Sequence, residues 1–212
     1  MHNKFLIEAF QTPDNVAEVL GGYYDELPSD PYVDSDIRFR SYAHFQAHEG
    51  GLTERLPHKP FTQSSQFNRV VGDIERHFEP MSDEMVQTAE FRHLVDSFVE
   101  RTGIDKVNGH FDVHQIRVTC DEDATSAPAP EGIHQDGFRY VGIFCVQRRN
   151  ISGGYTQIFS SPVDQHPHLN TVLEENQFII LNDSRYFHHI SETLSSKAGE
   201  KGVRDVFVFT AD

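Results

Sequence analysis

The sequence predicts a mainly β fold of the jelly-roll kind, with a helical elaboration packed on one face of the strands. Three observations carry this expectation. Short runs rich in β-branched and aromatic residues follow one another through the second half: VHQIRVTC (113–120), YVGIFCVQ (140–147), YTQIFSS (155–161), QFIIL (177–181) and VFVFT (206–210). The links between them vary in length and are rich in turn residues, as in DEDATSAPAP (121–130) and SSKAGEKG (195–202). The stretches with helical spacing fall in the first half.

Taken in order, residues 14–20 (DNVAEVL) read as a short helix with Asp14 as N-cap. Segment 35–45 (SDIRFRSYAHF) is strand-like, anchored by Ile37, Phe39 and Tyr42. HEGGLTERLPHKP (48–60), with its Gly-Gly pair and prolines, reads as a loop. Residues 82–102 form the strongest helix: Ser82 can cap it, and Met85, Ala89, Leu94, Val95 and Phe98 recur at about helical spacing. Gly103 can end it in a left-handed cap. Residues 1–105 are thus a mixed helical and strand part that layers on one face, and 106–212 the jelly-roll core, together a single domain. Gly153–Gly154 is expected to make a tight turn between strands.

Composition narrows the function. The 212 residues carry a formal charge of −15. That balance works against binding a nucleic-acid backbone, which needs clustered Lys and Arg, and against an anionic membrane surface. No run approaches the roughly 20 apolar residues of a membrane span. The N-terminal apolar patch is cut by Glu8, short of the about 7–15 apolar residues of a secretory signal, so none is read. Cys120 and Cys145 lie in strand-like runs without metal-ligand spacing and are expected as buried free thiols, which suits the cytoplasm.

The chemistry is carried by EGIHQDGFRYVGIFCVQ (131–147), where His134 and Asp136 stand two apart before a strand. Alternate strand residues share a face, so at a strand mouth the pair would point the same way. His-x-Asp alone is weak: with 13 histidines in the chain a chance occurrence is expected, and His110 and Asp112 supply a second such pair. Context favours the first. Two histidines and a carboxylate on one face of a metal are the ligand set of non-haem Fe(II) oxygenases. DSRYFHHISET (183–193) offers His188 or His189 as the missing ligand; on an extended backbone they face opposite ways, so only one can serve. Arg204 then opens the last strand, where its planar fork suits a carboxylate.

HQDG (134–137), ISGG (151–154), YFHHIS (186–191) and RDVFVFT (204–210), with weaker echoes in RFRSY (38–42), QFN (66–68) and HQIR (114–117), resemble the 2-oxoglutarate and Fe(II)-dependent dioxygenases, in particular the small bacterial group that includes L-isoleucine 4-hydroxylase. The resemblance implies a double-stranded β-helix, related to cupins, and an oxidoreductase that uses Fe(II), 2-oxoglutarate and O2 to hydroxylate a small molecule, which the group it resembles places among free amino acids, releasing succinate and CO2. It implies His134, Asp136 and His188 as metal ligands and Arg204 as partner of the far carboxylate of 2-oxoglutarate. The pattern of aromatic, His, any, aliphatic, Ser/Thr selects His188 over His189. Glu192 stands where amino-acid hydroxylases of this group often have proline.

For the substrate, Arg38, Arg40 and Arg117 are candidate carboxylate partners, with Arg38 and Arg40 on one side of a strand. Tyr42, Gln115 and Asn68 are further candidates. Asp183 and Asp205 read as turn caps or local partners. Two other readings remain open at this level: a cupin-like metal enzyme that uses no 2-oxoglutarate, and a non-catalytic small-molecule sensor on the same scaffold.

Overall fold

A computed structural model describes residues 7–33, 37–68, 70–122 and 125–212. Ser35 and Asp36 of the first predicted strand, and Asp123 and Ala124 of the 121–130 connector, lie outside these residues. In chain order the elements are β1 (Ile7–Gln11), α1 (Asn15–Gly21), β2 (Arg38–Ala47), β3 (Thr53–Arg55), β4 (Glu79–Pro80), α2 (Asp83–Val86), α3 (Ala89–Thr102), β5 (His110–Cys120), β6 (Tyr140–Arg149), β7 (Ile151–Gly153), β8 (Thr156–Phe159), β9 (Leu169–Thr171), β10 (Gln177–Asn182), β11 (Phe187–Ile190), β12 (Thr193–Ser195) and β13 (Gly202–Ala211).

The mainly β expectation holds. The large sheet runs β1-β10-β6-β13-β5-β2-β3, with β4 beside β2; smaller ladders β11-β8-β9 and β12-β7 form the second layer of a double-stranded β-helix. Neighbours along the main path are antiparallel, and β13 lies between β5 and β6. Alternation divides the large sheet into two apolar faces. Phe144, Phe178, Phe207 and Phe209 point to one side and pack against Leu20 of α1 and Phe91, Leu94 and Phe98 of α3. Ile116, Val118, Val141, Ile143, Ile179 and Val206 point to the other, towards Ile158 of β8 and Ile190 of β11. Helices therefore seal one face, and the second face is left for a cavity between the layers.

Several elements differ from their sequence reading. The 82–102 helix is two helices. Ser82 caps α2, but Thr88 Oγ1 accepts the N–H of Phe91 at 3.1 Å and donates to the Met85 carbonyl at 2.8 Å. A Thr side chain bonding the backbone in this way restarts the helix as α3. Gly103 ends α3 in the left-handed region at φ 69°, as expected. Asp14 makes no side-chain cap. The first turn of α1 is capped from far away, by Asn176, whose Oδ1 accepts the Ala17 N–H at 2.7 Å and whose Nδ2 donates to the Asp14 carbonyl at 3.0 Å.

The N-terminal half is also less of a helical layer than expected. Among the described residues α1 and α3, with Met85 of the short α2, cover the sheet, whereas β1, β2 and β3 extend it at its two ends. The 48–60 loop contains β3, which pairs with β2. Gly153–Gly154 is not a hairpin turn: β7 pairs with β12 and β8 with β11, so the pair is a bend where one strand passes between two ladders. Both glycines have positive φ, and a Cβ on Gly153 would meet the Glu192 carbonyl, so only glycine fits there. Cys120 and Cys145 are buried and unpaired. Among the described residues no helix is long and apolar enough to cross a membrane.

Candidate metal centre

His134 and Asp136 lie in the segment before β6 rather than in the strand itself. Their geometry comes from tertiary pairing. His134 and His188 form an isolated antiparallel bridge: the His134 N–H donates to the His188 carbonyl at 3.0 Å and the His188 N–H to the His134 carbonyl at 2.8 Å. This ties the first ligand segment to β11. Gly137 follows at φ 87°, and a Cβ there would run into the Phe67 ring. The glycine lets the chain turn away from Asp136 while Phe67 covers it.

The side chains converge. Nε2 of His134 is 3.5 Å from Asp136 Oδ1, and Nε2 of His188 is 3.6 Å from Asp136 Oδ2. One ligand atom from each residue lies within 4.8 Å of the other two. Nδ1 of His134 stands 2.8 Å from the Gly132 carbonyl, which can only accept, so Nδ1 carries hydrogen and a neutral ring presents its lone pair at Nε2. Nδ1 of His188 lies 3.2 Å from Asp183 Oδ1, near enough for an ion pair though out of line for a hydrogen bond. Two imidazole nitrogens and a carboxylate, with one side open to a cavity, fit a divalent iron with free coordination positions.

Electrostatics match a site short of a cation. Burial disfavours charge on His134, but Asp136 and the Gly132 carbonyl outweigh it and push the imidazole up to about 9. Burial likewise opposes charge on Asp136, yet His134 and His188 hold its carboxyl well below the usual range.

The cavity over this cluster lies against β2, β5 and β13, and Arg204 lines it from β13. Arg204 is 4% exposed and its buried Nη2 has no hydrogen-bond partner. A buried guanidinium without a carboxylate is costly, and an anionic ligand would satisfy it. The residues present therefore fit a dicarboxylate as well as a metal. Register places Arg204 opposite Val118, and Val118 opposite Arg38, so Arg204 and Arg38 occupy one row two strands apart.

The structure brings His188, not His189, to His134 and Asp136. Arg38, Arg40 and Asn68 line the cavity. Arg117 does not: it points to the helical face, where Nε and Nη2 each donate to Asp205 at 2.8 Å and Nη1 donates to Asp25 at 3.0 Å. Its strand phase is opposite to that of Ile116 and Val118, which removes it as a substrate partner. Gln115 shares that phase and bonds Ser41 and the Tyr23 carbonyl. Tyr42 is fully buried beside the cavity rather than lining it, and its hydroxyl donates to Asp112 at 2.6 Å. Asp112 also sits 2.6 Å from His44 Nδ1, so the second His-x-Asp pair is engaged in a separate network.

Asp183 is more than a local partner. It is fully buried, and its Oδ2 accepts the N–H groups of Asp136 at 2.8 Å and Gly137 at 3.1 Å across 47 and 46 residues of chain. His114, which opens the HQIR stretch, also lines the cavity, as do Gln63, Arg76 and Glu131, which have no motif to mark them. Only the position of Asp183, directly after a buried strand and ahead of the histidine segment, could have drawn notice.

A family model for 2OG-Fe dioxygenases matches residues 22–210. The chain is 23% identical over 207 residues to a 3(1)-hydroxy-L-isoleucine 4-dioxygenase of Pantoea ananatis, covering 93% of this chain and 81% of that protein. Among solved structures it resembles a bsmA homolog from Methylobium petroleophilum, with a TM-score of 0.82 at 24% identity over 94% of this chain and 82% of that one. It also resembles IDO from Bacillus thuringiensis, with a TM-score of 0.77 at 15% identity over 97% of this chain and 89% of that one. At these identities the structural likeness speaks for the fold.

Proposed function

The chain belongs to the 2OG-Fe dioxygenase family, and from that premise we propose that it hydroxylates a free amino acid, holding Fe(II) on His134, Asp136 and His188 and the far carboxylate of 2-oxoglutarate on Arg204. The family assignment makes it an oxidoreductase that uses Fe(II), 2-oxoglutarate and O2 on a small-molecule substrate. The single observation that carries the residue assignment is the meeting, in one cavity, of the His-Asp-His cluster with a buried arginine that has an unpartnered Nη2. The amino-acid substrate rests on the Pantoea relative, whose name is that of an amino-acid dioxygenase.

Iron, when bound, supplies the oxygen chemistry by which 2-oxoglutarate is converted to succinate and CO2 as the substrate is hydroxylated. The protein's residues orient and shield. The Gly132 carbonyl and Asp183 hold the two imidazoles from behind, so that both Nε2 atoms face Asp136. Arg204 gives a carboxylate one orientation, and the apolar side chains of Ile116, Ile143, Ile190 and Val206 line the cavity and limit water around the reacting atoms.

Residues 1–105 and 106–212 are read as one domain, because β1 and β2 join the same sheet as β5, β6, β10 and β13. The two unpaired, buried thiols support a cytoplasmic setting.

The test is anaerobic visible absorption on adding Fe(II) and then 2-oxoglutarate, followed by succinate release with a panel of amino acids. A new charge-transfer band and amino-acid-stimulated succinate are expected. Iron binding without the band would overturn the 2-oxoglutarate assignment, and a band without stimulation by any amino acid would overturn the substrate class.

A further inference from the structure

Asp136 is held from two distant parts of the chain. Asp183 takes its backbone N–H from one side. Gln63, in the loop between β3 and β4, reaches it from the other, across 73 residues of chain. Nε2 of Gln63 donates to the Asp136 carbonyl at 2.9 Å and lies 3.4 Å from Asp136 Oδ1. Both backbone polar groups of this proposed ligand are therefore fixed, and one of its carboxylate oxygens is engaged.

The amide of Gln63 fits in one orientation. Its Oε1 accepts from Nη2 of Arg76 at 2.6 Å and from Nδ2 of Asn68 at 3.3 Å. A guanidinium only donates, so the amide oxygen belongs on that side. The Asp136 carbonyl only accepts, so the NH2 group belongs on the other. Both donors are themselves held. Arg76 is buried, with its guanidinium 4.8 Å from the centroid of Phe61. Asn68 is buried too: its Oδ1 accepts the N–H groups of Val70 and Val71 at 3.0 and 2.9 Å, and its Nδ2 also donates to Glu131 at 3.2 Å.

The loop that carries Gln63 is closed at its base. Phe61 and Arg76 pair in a two-way bridge of 2.9 Å hydrogen bonds, and the Asp73 N–H donates to the Gln63 carbonyl at 2.8 Å. Phe67 of the same loop occupies the space that a Cβ on Gly137 would need. The loop thus meets the metal segment at two successive residues, with a polar contact on Asp136 and an aromatic one on Gly137.

We propose that Gln63 is a positioning residue for the metal, holding Asp136 so that Oδ1 is engaged by the amide and Oδ2 is left to the ion. Hydrogen bonds to a ligating carboxylate fix its direction. Without the amide, the carboxylate is free to rotate and to offer both oxygens, which changes the number of ligand atoms. This deepens the proposed function and rests on its assignment of Asp136 to the metal.

The experiment titrates the full chain with Co(II) alone under anaerobic conditions. It reads affinity, visible d–d absorption at saturation, which follows the number and arrangement of the ligands, and melting temperature. Gln63→Met keeps the length and removes the amide; affinity should fall about tenfold or more and the absorption should change. Gln63→Glu keeps an acceptor for Arg76 and Asn68 and loses the donor. Its absorption should change as well, and it carries the test alone should Gln63→Met not fold. Ser65→Ala cuts the contact of Ser65 with Asp73 in the same loop, away from Asp136, and should leave affinity and absorption unchanged. Wild-type absorption in a folded Gln63 variant, whatever its melting temperature, overturns the role. An equal change in Ser65→Ala overturns it too, because the effect then lies in the loop rather than in the amide. A wild-type protein that binds no Co(II) instead strikes the metal assignment, and the role of Gln63 falls with it.

Discussion

Asp183 faces His188, with Oδ1 3.2 Å from Nδ1, while its Oδ2 accepts the backbone N–H groups of Asp136 and Gly137. One fully buried carboxylate thus braces two of the three proposed ligands. Asp183→Asn keeps the shape but can turn an N–H₂ towards Nδ1, which favours the tautomer with hydrogen on Nε2, where iron would bind. Fe(II) affinity is expected to fall about 10- to 100-fold. An anaerobic metal titration of wild type and variant checks this, and equal affinities would show that Asp183 only supports the fold.

His188 and His189 separate cleanly in the structure, one among the ligand atoms and one on the opposite phase of β11. His188→Ala is expected to abolish iron binding and succinate production. His189→Ala should retain both to within about threefold, since a substitution away from the site seldom costs more than a few tenths of a kcal/mol. The opposite pattern would transfer the ligand role to His189.

Arg204 is buried, makes no ion pair among the described residues, and has an unpartnered Nη2. Arg204→Met removes a buried cation and keeps apolar bulk, so the ligand-free protein should melt no lower than wild type. The same change should weaken 2-oxoglutarate binding about thirtyfold or more, the usual consequence of truncating one partner of a buried charge pair. Calorimetric melting with and without 2-oxoglutarate reads both effects. A large drop in melting temperature with unchanged 2-oxoglutarate affinity would make Arg204 a structural residue.

His134 is pushed up to about 9 by Asp136 and the Gly132 carbonyl against the effect of burial, so at pH 7 the metal-free imidazole is protonated. A metal must displace that proton. Affinity for a divalent metal such as Co(II) should rise about tenfold per pH unit between pH 7 and pH 8.5 and level off above the His134 value. The sign reverses for metal-free stability: a pKa raised in the folded state stabilises fully below about 6.5, and the contribution is lost as pH rises through about 9. Calorimetry in buffers of different ionisation enthalpy counts the protons released. Release of none at pH 7 would show that His134 is already neutral there.

Much of the architecture is legible along the chain because alternation of apolar residues is a local signal. The strands at 113–120, 140–147, 177–181 and 206–210 and the left-handed cap at Gly103 follow from short windows, whereas His134, Asp136 and Arg204 stand out as a set only through the resemblance carried by several separate motifs. Breaks were harder: Thr88 competes for the backbone inside a periodic run, and the cap of α1 comes from Asn176, remote in sequence.

By itself the sequence determined which residue types could meet: two histidines, a carboxylate and an arginine, spaced on strands with a period of two. Only the tertiary structure decided which of them share a face. The period tells that Arg38 and Arg40 point one way, but not that Ile116 rather than Arg117 keeps their company; that depends on the register of β2 against β5. The same holds for Asp183 behind His188 and for the frame from Arg76 through Gln63 and Asn68 to Glu131. Each joins segments far apart in the chain, and a contact made by sheet register and loop packing leaves no periodic trace in either partner.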